Sequence, residues 1–552
     1  METFAQVAST GTDSVKIQDH EILSPFVEPS TAKTFVDCGF TRLYSRDALS
    51  NSTGSFFFEY ERELLPKVHD LSTLICEVTT SIVRVEGNEE RPVELADNVS
   101  VTNNFVDSLW SKIHMTINNA EAYSSPANRY HYVQLSRLLG HQEPLEEKGL
   151  DLLATCQVDE DPGSTDPTLN PGFNQRAQMF VKRKRDSNAK YQIDHDAQRL
   201  KDRESLSADA ILAAFRKNQK EHQQGKKRKK SNDGDEGESQ SQLPSENGEE
   251  GGKSDSEDDG NSVSDFSSVS DGSKRVYSLG TLTYGFNTTK QFLPWNCSLQ
   301  IQLDKESDEH ILHVRSSSTE EARKFKLKIH NVGLYLRYYL INDQLYNKFK
   351  AIYQSGIRSK MYFLKPYTHS NFMEIGTRHF SKDIGFRGRK LVKLFVVFMN
   401  QQRHNGNREY CSSVYMQPPN VLTASIKQGD RDPLQLAPNL LRSPSTSLLH
   451  KLYFDLLMNT QVLGAETKRN TISFEKFKKN AFVMSLNCVA GGTLQTDQLP
   501  LIRQGPIHLD LLLEEPLNEA LYVYYLGYTV SVLSVAPGQP ALLSDELSYE
   551  RN

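Results

Sequence analysis

The residues best equipped for chemistry in this 552-residue chain are few and dispersed. Of fifteen histidines, only His310 and His313 are close enough to share one helical face or one strand end. They have no third ligand beside them, so no metal is expected there. Gly385-Phe-Arg-Gly388-Arg-Lys390 has the composition of a turn that could cradle a phosphate, but a solvated approach to a strand is the better reading. There is no HExxH, no GxSxG, no Walker loop and no GxGxxG after a strand. The expectation is therefore a protein that is not an enzyme, with no catalytic, cofactor-binding or metal-ligating residues. Six cysteines (38, 76, 156, 297, 411 and 488) stand singly, which argues against a zinc site or disulfide scaffold and for buried thiols in a reducing compartment.

Charge is uneven along the chain, although the net value is only −6. Two basic runs, Lys182-Arg-Lys-Arg185 and Lys226-Lys227-Arg228-Lys229-Lys230, share a stretch with the acidic tract Ser254-Asp-Ser256-Glu-Asp-Asp259. The second run reads equally as a nuclear-import signal or as solubilising charge. Contact with nucleic acid ranks third, because the neighbouring acidic tract would compete for the cations. Ser254 and Ser256 fit targets of acid-directed kinases. Asn51-Ser-Thr and Asn98-Val-Ser match the glycosylation pattern. However, Met1–Asp19 lacks a basic segment followed by an apolar run, and no stretch reaches membrane-span length, so neither secretion nor membrane insertion is expected.

The ordered segments are mostly strands. Ser55–Tyr60, Thr73–Val85, Lys112–Ile117, Val276–Phe286, Leu293–Leu303, Phe325–Ile329 and Leu334–Leu340 alternate or are rich in β-branched and aromatic residues. In the second half the same reading covers Lys360–Leu364, Leu391–Phe398, Asn420–Ile426, Ala481–Leu486, Ile507–Leu513 and Leu521–Val532. Each half carries one helix, over Pro126–Leu139 and Ser445–Asn459, where the apolar spacing changes to that of a helical face. Between 159 and 273 Pro, Gly, Ser and charged residues crowd out the apolar ones, and an insert of that composition cannot support a core.

The order is the same twice. The Leu-Pro opening, alternating strand and aromatic strand at Leu499–Val535 repeat those at Leu293–Leu340, and Ala481–Leu486 takes the place of Leu282–Phe286. Seven or more short strands per half, with few βα alternations, point to antiparallel sandwiches, and eight strands in two facing sheets fit the count. An immunoglobulin-like pair fits less well, because each half is about twice the ~100 residues of such a domain. The expected organisation is all-β: two tandem jelly-roll β-sandwiches, a double jelly roll with a short helix in each. It divides into a disordered arm (1–19), a first jelly roll (20–341, with the disordered insert 159–273), a second (342–537) and a flexible tail (538–552). The tyrosines at 335, 338 and 339 and at 522, 524, 525 and 528 are expected mainly in the cores, with a subunit interface second.

The chain resembles the double jelly-roll major capsid proteins of Polinton/Maverick-type DNA transposons and adintoviruses, including relatives integrated in animal genomes. The likeness rests on Asn103-Asn-Phe-Val-Asp-Ser-Leu-Trp110 followed by Ile113–Asn118, on Pro126-Ala-Asn-Arg-Tyr130, on Arg503–Leu511 and on Leu521–Tyr525. It implies a hexon-like homotrimer of six similar lobes that tiles an icosahedral shell around double-stranded DNA. The partners would be further copies of itself and a penton-like single jelly-roll protein, nucleic acid would be met only as packaged genome, and the location would be the virion. The long charged insert departs from that pattern. The alternative is a non-viral intracellular scaffold whose acidic insert binds basic partners such as histones.

Overall fold

The computed structural model describes residues 35–46, 54–63, 65–139, 171–181, 273–289, 291–315, 319–386, 389, 391–408, 421–428, 445–460, 472–488 and 506–544. The first half contributes β1 (Phe35–Tyr44), β2 (Ser55–Tyr60), β3 (Lys67–Glu86), β4 (Glu89–Pro92), β5 (Val99–Val101), β6 (Trp110–Ile117), β7 (Ala120–Ser124), β8 (Val276–Thr281), β9 (Leu299–Lys305), β10 (Leu312–Val314) and β11 (Phe325–Ile341). The second contributes β12 (Ser359–Met373), β13 (His379–Ile384), β14 (Leu391–Asn400), β15 (Val421–Gln428), β16 (Val483–Asn487), β17 (Ile507–Leu513), β18 (Leu521–Val535) and β19 (Leu542–Ser544).

The sheets repeat one plan. In the first half one sheet runs β1-β11-β3, with β4 and β8 side by side on the far edge of the long β3; the facing sheet runs β2-β9-β6-β7. In the second half the order is β12-β18-β14-β16, facing β13-β17-β15. Thus β1 pairs with β11 as β12 does with β18, β11 with β3 as β18 does with β14, and β2 with β9 as β13 does with β17. The counterpart of β7 is not among the described residues of the second half. The repeat read in the sequence is therefore physical: β9 and β17 hold equivalent places, as do β11 and β18. One correspondence moves, since the counterpart of β16, which pairs with β14, is β8 at Val276–Thr281, which pairs with β3, and not Leu282–Phe286, which runs into a tight 3-10 turn at Gly285–Thr288.

Alternation explains the strands. In β17 Ile507, Leu509, Leu511 and Leu513 are buried while His508, Asp510 and Leu512 are less so, the signature of a sheet with one face on a core. The strand expected from Leu293 begins only at Leu299. Pro294 has no N–H for a ladder and Asn296 adopts φ +55°, so Leu293 makes a single bridge to His69 before the chain turns.

Three expectations need correcting. The insert expected to be without structure contains the helix Pro171–Phe180, whose Phe173, Arg176 and Phe180 are buried; three anchors one turn apart are enough to dock a single helix. Between the strands read at Leu334–Leu340 and Lys360–Leu364, where the sequence alone assigns no element, lies the helix Asp343–Gln354, capped by the Asn342 side chain, which accepts the Leu345 N–H at 2.7 Å. Its Leu345, Tyr346, Phe349 and Tyr353 pack on Trp295, Val68 and Ile341. The tail expected to be free pairs as β19 with β18, and the Gln539 carbonyl accepts from the Asn118 amide at 2.6 Å.

Each half completes the core of the other. The first core includes Met361 and Phe363 of β12 and Leu533 and Val535 of β18. The second takes in Tyr132, Val133, Leu135, Leu138 and Leu139 from the first-half helix Arg129–Leu139.

Candidate assembly interface

The Asn103–Trp110 turn is where that exchange is fixed. Asn104 at φ +50° opens a one-turn helix, Phe105–Ser108, which buries Asp107 completely. Arg129, also fully buried, donates to the Asp107 carboxylate at 2.6 Å and to the carbonyls of Asp107, Trp110 and Thr283 at 2.7, 2.8 and 3.0 Å. Arg137 reaches the same carboxylate at 3.4 Å, and the Thr283 N–H donates to it at 3.0 Å. Burial alone would push the Asp107 carboxyl up, but the two guanidiniums and Thr283 hold it below the usual carboxylate range. Gln134 donates to the Asn103 carbonyl at 2.9 Å, and Arg176 from the insert helix donates to the Val101 carbonyl at 2.9 Å and to the Asn103 side chain at 2.5 Å. Helix Arg129–Leu139 is thus clamped by its first-half roots while its apolar side enters the second sandwich.

A strap returns the favour. The segment Gln401–Arg408, leaving β14, lies against the first sandwich. The His404 carbonyl accepts from His131 Nε2 at 3.0 Å and from His310 Nε2 at 3.4 Å. The buried Arg408 guanidinium donates to the Ala322 and Phe325 carbonyls, both at 2.7 Å, while the Val314 N–H donates to the Arg408 carbonyl at 2.7 Å.

The outward faces differ in character. On the β1-β11-β3-β8 face the Glu77 carboxylate is almost fully covered by Arg42, by Tyr335 at 2.7 Å and by Tyr277 at 3.2 Å. Gly333 makes room for it, because a Cβ there would lie 2.5 Å from the carboxylate. Arg42 lies 4.9 Å over the Tyr44 ring, and Val36 (67% exposed) and Tyr44 (67%) leave apolar surface at the sheet edge. On the facing sheet of the second half the exposed side chains form a polar ladder. Ser381 lies 2.9 Å from His508 Nε2, His508 Nδ1 lies 2.9 Å from Asp383, and His379 lies 2.7 Å from Asp510. The Ser381–His508–Asp383 order is that of a nucleophile, base and orienting carboxylate. Its side chains are exposed, with Ser381 and Asp383 directly opposite Asp510 and His508 in the β13–β17 register, and it forms a cross-strand polar pairing.

The residues singled out in the sequence are distributed as follows. Lys226–Lys230, Ser254 and Ser256 lie outside the described residues, as do Arg387, Gly388 and Lys390 of the basic stretch read as a solvated strand approach; Arg389 stacks over Tyr367 at 3.5 Å. His310 and His313 part company. The first stacks on Tyr130, while the second is buried with neither ring nitrogen hydrogen-bonded among the described residues, and burial with nearby arginines pushes it down to about 3. Among the described residues no three metal-ligating side chains converge. Tyr524 and Tyr525 are core residues, whereas Tyr335 and Tyr338 are half-buried, Tyr335 donating to Glu77. Cys76, Cys297 and Cys488 are buried thiols, burial pushing Cys297 up to about 11; Cys38 corrects the expectation, being exposed on the edge strand β1. The buried network around Asp107 and the strap were not found from sequence, because ion-pair partners 22 residues apart and contacts across the two halves leave no local period.

No protein-family model and no curated protein matches the chain. Among solved structures, a chain of the cryo-EM structure of the Sputnik virophage is 10% identical, with 97% of this chain and 93% of that one aligned at a TM-score of 0.53. The fold is a double jelly roll. The mavirus major capsid protein aligns over 97% of this chain and 94% of its own at 10% identity and TM-score 0.44, and the Faustovirus major capsid protein over 97% and 96% at 8% and 0.43. At 10% identity the likeness to the Sputnik chain speaks to the fold alone. No described helix is long and apolar enough to cross a membrane.

Proposed function

We propose that this chain is a major capsid protein, a structural element that associates with copies of itself and does not transform a substrate. The observation that carries the reading is the doubled strand order with exchanged core elements, which makes two similar but unequal lobes into one stiff body. Such a body lets a threefold assembly present six similar sides to its neighbours. In this reading three chains form a pseudo-hexagonal, hexon-like tile of an icosahedral shell around double-stranded DNA, a penton-like single jelly-roll protein fills the vertices, and the protein resides in the virion. The resemblance to Polinton and adintovirus capsid proteins supports an origin in an integrated element. Apolar surface at Phe35, Val36 and Tyr44 supplies the kind of lateral contact required. The insert supplies regulation, with Lys226–Lys230 as an import signal and Ser254 and Ser256 as phosphorylation sites.

Analytical ultracentrifugation of the full chain, followed by electron microscopy, tests this. A stable species of three times 62.6 kDa, or shells with hexagonal tiles, is expected. A protein that stays monomeric at all concentrations overturns the reading, and a monomer that captures histones through residues 231–273 would put a scaffold in its place.

A further inference from the structure

We propose that the strap Gln401–Arg408 is an acid-released latch, holding the second sandwich to the first while His131 and His404 are neutral and letting go when they take up protons. The inference does not depend on the capsid reading. At the latch, His131 stacks on His404 with ring centroids 5.1 Å apart, and His404 stacks on Tyr522 at 3.9 Å. Gly406 turns the chain at φ +82°, and a Cβ there would come within 2.8 Å of His310, so the strap seats directly on the histidines.

The hydrogen bonds define which nitrogens are protonated. His131 donates from Nε2 to the His404 carbonyl, so Nδ1 carries a lone pair; it is buried with no partner among the described residues. His404 faces the Asn405 side-chain oxygen through Nδ1 at 3.2 Å, and its Nε2 is likewise buried and unpartnered. A second proton on either ring would create a buried donor without an acceptor, and a charge beside the other ring.

Among the described residues neither ring has a carboxylate partner to neutralise that charge. From the helix Asp308–Ile311 and its approach come His310, whose Nδ1 is 3.1 Å from Glu306, and Glu309, which is taken by Arg408 at 3.2 Å. The strap itself adds the cations Arg403 and Arg408. On helix Arg129–Leu139 the charged groups Arg129 and Arg137 are turned to Asp107, and the remaining neighbours, Tyr130, Tyr522 and Tyr524, are phenols. Beyond His310 lies His313, which faces Arg176, Arg403 and Arg315. In keeping with this geometry, burial and the nearby imidazoles push His131 well below 6.5, and burial with His310 lowers His404.

An open strap returns both rings to water, where they protonate near the ordinary value. Opening should therefore become more favourable by up to roughly tenfold per histidine for each pH unit below about 6.5. Hydrogen exchange of the full-length protein, corrected for the intrinsic rate at each pH, reads this directly. The amides of 401–408, and the Val314 amide bonded to Arg408, should lose protection by roughly thirtyfold between pH 6.5 and 5.5, while Ile507–Leu513 keeps its own. His131→Gln with His404→Asn, which retain the Nε2 and Nδ1 donor positions without a titratable ring, should abolish the loss. The proposal is overturned by a strap that stays protected at pH 5.5, by strap and β17 losing protection together, or by a folded double variant that opens at the wild-type pH. If the variant does not fold, the wild-type comparison of strap with β17 decides alone.

Discussion

At the scale of single residues, the molecule places its charged groups where only full pairing makes them tolerable. Asp107 is fully buried with three donors around it, so Asp107→Ala should strand two buried guanidiniums and cost about 3–5 kcal/mol in urea unfolding. A variant losing under ~1 kcal/mol would mean the network is dispensable. The pH response separates by group. Because Asp107 sits below its ordinary value, its contribution is present above the unfolded carboxylate value and fades only in strong acid. The histidines act in the same direction, the unfolded state binding more protons, but in a higher pH window. His69, lowered to about 4, His313, lowered to about 3, and His131 and His404 are neutral when folded and protonate near 6.5 when unfolded. Stability should therefore be flat above pH 7 and fall progressively from about 6.5 downward. Unfolding midpoints across pH 8 to 5 that do not move would contradict this. Gly333→Ala sets a Cβ against the Glu77 carboxylate and should cost about 1–3 kcal/mol, with partial relief when combined with Glu77→Ala.

At the scale of elements, packing across the halves gives a prediction that a pair of independent sandwiches would not. Leu135→Ala, in a first-half helix, should lower stability by about 2–5 kcal/mol and raise hydrogen exchange in the second-half strand β18 more than in β11. The reverse pattern would show the helix serving its own sandwich. Much of this layer was legible in advance. Ser55–Tyr60 and Ile507–Leu513 are strands at the limits read from alternation, and the two helices fall where the period changes to 3.6. The misses have physical reasons. Helix Pro171–Phe180 hides in low-complexity flanks because three anchors carry it, and Asp343–Gln354 was passed over because Leu345, Tyr346, Phe349 and Tyr353 lie among polar residues. Periodicity announces that Val133, Leu135 and Leu138 must be covered; it does not name the sheet that covers them.

At the scale of the whole molecule, the candidate site was harder to read than the fold, since an assembly surface has no motif. What the sequence exposed was repetition, and the equal strand orders of the two halves are its structural expression. The exposed edge at β1 gives the capsid reading a direct handle. Val36→Glu with Tyr44→Glu, changing only surface residues, should leave the unfolding midpoint within about 0.5 kcal/mol of wild type while weakening self-association in sedimentation velocity. Unchanged sedimentation would move the contact elsewhere on the lobe.

The mutual completion of the two cores carries a consequence for how this gene product can be divided. A chain severed in the helix Asp343–Gln354 would release two fragments, each missing bricks that only the other can supply: Met361, Phe363, Leu533 and Val535 on one side, Val133, Leu135 and Leu138 on the other. Produced separately they should aggregate, whereas produced in one cell they should find each other and become soluble, so that the linker is a convenience and the partnership is obligatory.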